Sequence, residues 1–202
     1  MAKESTLKNM VLTLFIVCLA TSAMLGGAYI LTKEPIEKAI EAKINSSILA
    51  VVPEYDNEPS KEVFTKELDG VTYKVYPAKK GGETVGYAIE TFSNAGFGGR
   101  ISLMAGFSAD GTIVNVTVIS HSETPGLGDK MVEGKSNFSV QFKGKKPAEF
   151  KLSVKKDGGD VDAITASTIT SRAYCGALES AYKIFLLCAE NQVKKEDENE
   201  QK

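Results

Sequence analysis

The amino-terminal part of the chain is a long apolar stretch that contrasts with the mixed pattern of the rest. No charged residue occurs from Asn9 to Thr32, whereas Lys8 and Lys33 lie immediately outside this range. At ~1.5 Å per residue, these 24 residues form about 36 Å of helix, enough to cross a hydrocarbon layer of ~30 Å. A cleaved signal peptide has an apolar core of only about 7–15 residues. We therefore predict a transmembrane helix over residues 9–32 rather than a signal peptide.

The charges that flank this stretch predict its orientation. Lys3 and Lys8 precede it, whereas Lys33 is followed at once by Glu34. Positive charge favours the cytoplasmic side of a membrane. We expect residues 1–8 in the cytoplasm and a single pass through the inner membrane. About 170 residues then lie on the periplasmic or outer face, a length typical of one domain.

The apolar pattern changes to helical spacing after the membrane segment. Isoleucine recurs at positions 36, 40, 44 and 48, Pro35 suits the first turn of a helix, and Pro53 ends the pattern. This spacing predicts an amphipathic helix that continues from the anchor and is followed by a linker, together residues 33–60. The isoleucine stripe can pack on the outer domain or on a neighbouring membrane subunit.

Short runs of β-branched and aromatic residues follow, separated by residues typical of turns. Such runs predict strands, and the Asp110–Gly111 pair between two of them is a strong hairpin signal. The segment from Pro77 to Gly82 is predicted to be a turn. The result is a meander of about four antiparallel strands, over Val71–Tyr76, Thr84–Phe92, Ile101–Phe107 and Thr112–Ile119.

The carboxyl-terminal part returns to helical spacing. Apolar residues recur mostly every three or four positions from Ala173 to Cys188, which predicts a helix of about 20 residues that starts near Thr168 and covers one sheet face. The charged run over residues 193–202 is expected to be a disordered tail. The predicted fold class is α+β: a transmembrane helix, then an antiparallel sheet packed against helices in a domain over residues 61–192.

Composition narrows the possible functions. The 202 residues include 24 Lys and Arg against 26 Asp and Glu, a formal net charge of −2, which argues against a nucleic-acid-binding protein. Cys18 lies in the apolar stretch, and Cys175 and Cys188 are about 20 Å apart on the predicted helix. The latter two cannot bridge each other and are expected to be buried, inert thiols. No residue cluster indicates a metal site.

Two glycine-rich segments have compositions that packing alone does not explain. Gly96, Gly98 and Gly99 follow a predicted strand, and glycine allows a positive φ and the close approach of a ligand. The segment from His121 to Gly128 contains a Pro–Gly turn and leaves Leu127 in a loop, where an apolar side chain needs a cover. His121 has no identifiable catalytic partner. Each segment is either scaffold or part of a ligand pocket.

A third segment, from Asp162 to Arg172, has five serine or threonine residues in eleven positions around the predicted start of the long helix. One such residue is enough to cap a helix. The free amides and partial positive charge of a helix amino terminus attract anions, and neighbouring hydroxyl groups add hydrogen-bond donors. The segment therefore predicts an anionic, phosphorylated ligand.

These residues also match a known family. The sequence DAITAST, from Asp162 to Thr168, resembles the flavinylation motif of FMN-binding domains, in which a flavin transferase joins the phosphate of FMN to the last threonine as a phosphoester. The anchor, SHSETPGLGDK at residues 120–130 and TITSRAY at residues 168–174 resemble the G subunits of Rnf-type ion-translocating ferredoxin:NAD oxidoreductases. The similarity covers essentially the whole chain.

The resemblance implies that FMN is attached covalently to Thr168. Thr165 and Asp162 then belong to the sequence that the transferase recognises. The usual Gly-Ala pair before the modified threonine is here Ala166–Ser167, and Thr170 is a remote second candidate for modification. The further residues implied to bind the cofactor are Thr165 and Ser167, beside the attachment point, and Glu123, Thr124, Pro125, Gly126, Leu127 and Gly128 around the isoalloxazine ring.

The implied function is that of a membrane-anchored electron-carrier subunit. Its flavin passes electrons between partner subunits of a complex that couples electron transfer between ferredoxin and NAD to ion translocation. No complete reaction is expected from this chain alone. Alternatives are the C subunit of the sodium-pumping NADH:quinone oxidoreductase and an anchored flavin domain of an extracellular reductase. A further alternative is an outer-face binding or scaffold module without flavin, in which the hydroxyl groups merely cap a helix.

Overall fold

The computed structural model describes the backbone of residues 6–200 and the side chains of residues 6–190. The chain divides into two compact units, Met1–Lys43 and Ile44–Lys202. Residues 7–43 of the first unit belong to a single long helix, and the second unit contains the end of that helix, the sheet and the remaining elements. Most of the predicted cytoplasmic segment, residues 1–5, lies outside the described part of the chain.

The long helix, α1, spans Leu7–Val51 and contains the predicted membrane segment. It is long and apolar enough to cross a membrane, and its most apolar stretch is not buried within the chain. The prediction that Pro35 lies in the first turn of a helix is wrong, because Pro35 lies inside the continuous α1. A proline there removes one backbone hydrogen bond, a local loss within a helix of 45 residues. The predicted helix end before Pro53 is confirmed.

Five antiparallel strands form a meander in which sequence neighbours pair throughout. All four predicted strands are confirmed, and the Asp110–Gly111 hairpin closes through a hydrogen bond of 3.0 Å from the Ser108 amide to the Thr112 carbonyl. The strands are β1 (Phe64–Leu68), β2 (Val71–Lys80), β3 (Glu83–Gly96), β4 (Gly99–Ser108) and β5 (Ile113–Ser120).

The sheet differs from the prediction at its β1–β2 edge. Strand β1 was not predicted, and the predicted turn from Pro77 to Gly82 is wrong over its first four residues, because β2 continues to Lys80. Pro77 is tolerated in a strand because pairing with β1 ends at Val75, so the missing amide of Pro77 faces no strand partner on that side. The true turn is the two-residue Gly81–Gly82, both with positive φ.

Both faces of the sheet are covered. Alternate residues of β3 and β4, such as Ile89 and Leu103, join the main core beneath the last helix, whereas Ala88 and Met104 face the end of α1. Ile48 is buried in this second cluster and Ile44 packs at its edge, so this end of the isoleucine stripe packs on the domain. The α+β fold class is therefore confirmed.

The last helix, α2, spans Thr168–Glu200, so its predicted start is confirmed. The helix is longer than the predicted 20 residues, and the tail expected to be disordered from residue 193 is helical to Glu200, because Lys and Glu are good helix formers. Residues 201–202 lie outside the described part. Burial raises the pKa of the Cys175 thiol to about 12 and that of Cys188 to about 11, as expected for inert thiols.

Candidate functional site

The three unusual segments of the sequence meet at one cavity. Its volume is about 340 Å³, within the size range of small-molecule sites. The turn after β3, the loop after β5 and the beginning of α2 each supply part of its wall. The lining residues are Phe97, Glu123, Thr124, Leu127, Gly128, Ala166, Ser167, Thr168, Ile169 and Thr170.

A tight turn delivers the chain to the start of α2. The Ser167 amide donates to the Ile164 carbonyl at 3.0 Å, and Ala166 in this turn has a φ of 61°, a left-handed conformation that glycine adopts more readily. The Ser171 hydroxyl accepts from the Ile164 amide at 2.9 Å and donates to the Ser167 carbonyl at 3.0 Å. These bonds tie the turn to the first turn of the helix.

Thr168, the first residue of α2, is half-buried in the cavity wall. The first intrahelical hydrogen bond runs from the Ser171 amide to the Ser167 carbonyl, so the amides of Thr168, Ile169 and Thr170 precede it and have no helical acceptor. Among the described residues, no group hydrogen-bonds to the Thr168 hydroxyl. A free hydroxyl and the positive end of a helix therefore face the same cavity.

Glu123 joins the three segments from inside the protein. Its side chain is buried, one carboxylate oxygen accepts from the Gly98 amide at 3.0 Å, and the other accepts from the Thr170 hydroxyl at 2.8 Å. The Glu123 amide in turn donates to Nδ1 of His121 at 3.1 Å. Glu123 thus fixes the relative position of the cavity walls, and the only histidine supports its loop.

Two glycines allow this close packing. A Cβ atom at Gly98 would overlap the Ser122 carbonyl, and one at Gly128 would overlap the Glu123 carboxylate and the Thr170 hydroxyl. Because these neighbours are backbone or buried and hydrogen-bonded, they have little room to move. Gly98 and Gly128 therefore serve the close approach of protein segments to one another.

The remaining residues implied to bind the cofactor are distributed differently. Pro125 and Gly126 are exposed at the tip of the loop and do not line the cavity, although the turn they form carries Leu127 to it. Thr165 and Asp162 line a second cavity, of about 450 Å³, on the other side of the turn. The Thr170 hydroxyl is buried and bound to Glu123, so it is far less available than that of Thr168.

Residues missed by sequence reasoning complete the cavity. Phe97 and Ile169 lie in its wall and are 71% and 49% exposed, and Leu127 beside them is 43% exposed. Phe97 lies within the glycine-rich segment, and this position could have indicated that it lines a ligand pocket. Nothing in the local sequence distinguishes Ile169 from a core residue. Three large apolar side chains around a free hydroxyl are suited to a ligand with an apolar body and a phosphate.

Asp129 follows the loop and anchors it. Its buried carboxylate accepts a hydrogen bond of 2.8 Å from Lys135, and this bond lowers the pKa of Asp129. The carboxylate therefore stays charged while it fixes the base of the loop.

The fold and cavity define an FMN-binding domain: the family model of that name matches residues 96–183, which include all three cavity walls.

Similar proteins identify the family more closely than the domain does, and each of the three compared is the G subunit of an ion-translocating oxidoreductase complex. Over 175 residues the chain is 35% identical to the Cereibacter sphaeroides protein, covering 83% of this chain and 78% of that protein. Over 190 residues it is 34% identical to the Vibrio atlanticus protein, covering 88% and 89%. The Haemophilus influenzae protein is 38% identical over 178 residues, covering 84% and 86%. The chain belongs to this family of G subunits.

Proposed function

We propose that this chain is the membrane-anchored electron-transfer subunit of an Rnf-type ion-translocating oxidoreductase complex, with FMN attached covalently to Thr168. FMN binding and a redox role within such a complex, beside other subunits of it, follow from family membership. The bound flavin supplies the ability to accept and donate electrons. The attachment point, the pocket residues and the topology are the parts proposed here.

The observation that carries the proposal is the free Thr168 hydroxyl at the amino terminus of α2. A phosphate joined to this oxygen would retain negative charge next to the three amides that have no helical acceptor, an arrangement that helix termini favour. The apolar wall at Leu127 would lie beside the isoalloxazine ring. Thr124 and Ser167 supply polar groups at the cavity edge.

Attachment requires a partner enzyme, which we propose to be a flavin transferase. The Oγ–H proton of Thr168 is removed, an Oγ–P bond forms to the FMN phosphate, and a phosphoanhydride bond of an activated flavin dinucleotide breaks to release the other nucleotide as its monophosphate. Asp162 and Thr165 lie on the same turn but around the second cavity. This separation supports a role for them in recognition by the transferase.

We further propose that α1 spans the inner membrane with the flavin domain on the periplasmic face. The support is the length of the uncharged stretch and the lysine residues that precede it. Covalent attachment is consistent with this location, because a cofactor released outside the cell would be lost by dilution. Protease added to spheroplasts should digest residues 61–192, whereas protection of this segment would contradict the orientation.

The attachment site is tested by expressing the full chain with its transferase and viewing a denaturing gel under ultraviolet light. The wild-type band is expected to fluoresce, and Thr168→Val should abolish the fluorescence because no oxygen is left to form the phosphoester. Thr168→Ser and Thr170→Val are matched controls that keep a hydroxyl at position 168 and should retain the label. A fluorescent Thr168→Val band, or a dark wild-type band, would contradict the proposal.

A further inference from the structure

We infer that Phe97 is a cofactor-contacting residue, an aromatic wall that packs against the isoalloxazine ring of the flavin. This inference rests on the proposed attachment of FMN to Thr168. Phe97 lines the same cavity as Thr168, although the two residues come from the turn after β3 and the start of α2.

The first observation is that the Phe97 ring is exposed and packs on no other aromatic ring of the described residues, unlike the other phenylalanines of the second unit. It is 71% exposed, whereas the other phenylalanines of the second unit are buried or half-buried. Within the described residues, Phe97 is also the only phenylalanine of that unit whose ring contacts no other aromatic ring. The phenylalanines with ring contacts are Phe64, Phe92, Phe107, Phe138, Phe142, Phe150 and Phe185.

The second observation is that the backbone holds Phe97 at the cavity. Phe97 and Gly98 form the two-residue turn between β3 and β4, and the Gly98 amide donates to the buried Glu123 carboxylate at 3.0 Å. Gly98 also packs so closely on the Ser122 carbonyl that a Cβ atom would not fit. The turn is therefore seated on the loop that carries Leu127, rather than free in solvent.

The third observation is the chemistry of the surrounding wall. Leu127 and Ile169 are the other large apolar side chains in the lining, and both are substantially exposed. Planar aromatic ligands bind best against apolar walls and aromatic faces. Since the phosphate of the ligand is assigned to Thr168, the apolar wall is left for the ring system, and Phe97 is its one aromatic member.

The test uses tryptophan as a contact probe, because the chain contains no tryptophan of its own. Tryptophan quenches flavin emission strongly when the two rings touch. In the folded full chain in detergent, Phe97→Trp is expected to lower flavin emission several-fold relative to wild type, and denaturation should restore equal emission. Phe97→Ala should leave emission unquenched but shift the flavin absorption band, because the ring loses its apolar neighbour.

Leu186→Trp is the matched control, since Leu186 is 41% exposed and lies about 27 Å along α2 from Thr168. Emission in this variant should equal that of wild type. Equal folded-state emission in Phe97→Trp and Leu186→Trp would overturn the inference and leave Phe97 as a surface residue available to a partner subunit. Emission measured after denaturation reports attachment separately, so a wild-type chain without flavin emission after denaturation would count against the Thr168 site itself and, with it, this inference.

Discussion

The turn from Asp162 to Thr168 has a cavity on each side, and the two cavities differ in what their polar groups already do. In the second cavity, the Gln141 side chain accepts from the Asp162 amide at 2.8 Å and donates to the Asp162 carbonyl at 3.1 Å. The Asp162 carboxylate pairs with Lys155 at 2.7 Å. In the first cavity, the Thr168 hydroxyl makes no such bond within the described residues.

This difference indicates that the second cavity supports the turn, whereas the first is suited to bind a ligand. Groups around the second cavity hold the turn in place, whereas those of the first cavity present an unused hydroxyl, unpaired helix amides and exposed apolar side chains. Thr165 and Thr168 are three residues apart in the motif, yet they face different cavities. The comparison predicts that substitutions on the two sides have different consequences.

The largest loss of stability is expected when the side chains that hydrogen-bond across each cavity wall are removed, Glu123 at the first cavity and Gln141 at the second. Glu123→Ala should lower the free energy of unfolding by about 2 kcal/mol, because it leaves the buried Thr170 hydroxyl and the Gly98 amide without an acceptor. Gln141→Ala should cost about 0.5–1 kcal/mol, since Asp162 is exposed and its backbone can bind water instead. Thermal or urea unfolding of the full chain in detergent measures both.

Glu123→Gln is the conservative control for this pair. It keeps an oxygen for the Gly98 amide and a polar partner for Thr170, so its loss should lie well below that of Glu123→Ala. If Gln141→Ala proved as destabilising as Glu123→Ala, the exposed backbone of Asp162 would not be compensated by water, and the predicted difference between buried and exposed hydrogen bonds would not hold.

A smaller change in stability is expected when either of two alanines in the turn is replaced by glycine, with opposite signs at Ala166 and Ala163. Ala166→Gly should stabilise the protein by about 0.5–1 kcal/mol, because a residue with a φ of 61° is strained unless it is glycine. Ala163 lies on the side of the second cavity and does not have a positive φ, so Ala163→Gly should destabilise by about 0.5 kcal/mol through chain entropy. Urea unfolding of the two variants decides the sign.

The sequence predicted what local patterns determine. The start of α2 at Thr168 followed from helical spacing and the cluster of hydroxyl residues, and the β4–β5 hairpin followed from Asp110–Gly111. What the sequence did not reveal depends on distant partners. Glu123 is 25 residues from Gly98 and 47 from Thr170, and no periodicity links such positions.

Pro77 and Phe97 escape sequence reasoning for a similar cause. Proline usually indicates a turn, but whether a strand tolerates it depends on which side of the strand is paired, and this is a property of the neighbouring strand. Phe97 was missed because a single aromatic residue in a glycine-rich turn has no repeat to reveal its environment.

Acid should weaken two ion pairs near the site: Asp129 with Lys135, at the base of the cavity loop, and Asp157 with Arg172 of α2. The pKa of Asp129 is lowered, chiefly by its hydrogen bond from Lys135, and that of Asp157 is lowered, chiefly by its hydrogen bond from Arg172. A carboxylate with a lowered folded-state pKa contributes stability above its ordinary pKa of 3.8, and this is lost as the pH falls through the folded value. The Tm difference between wild type and Asp129→Asn, or Asp157→Asn, should therefore be largest near pH 6. It should shrink as the pH falls below 4 and the carboxylates of the wild type become protonated.

Salt should have different effects on Asp129→Asn and Asp157→Asn, which respond to pH in the same way. This is the smallest of the expected changes in Tm and the most specific to one ion pair. Asp157 and Arg172 are 37% and 47% exposed, so 1 M NaCl should screen their ion pair and remove most of the effect of Asp157→Asn at pH 6. The Asp129 carboxylate, at the base of the cavity loop, is only 9% exposed although its partner Lys135 is 51% exposed, so ions reach the carboxylate end of this pair less easily than that of Asp157. The effect of Asp129→Asn on Tm should therefore persist in salt. Equal salt sensitivity would mean that the Asp129 contact is an ordinary surface pair and does not fix the loop that carries Leu127.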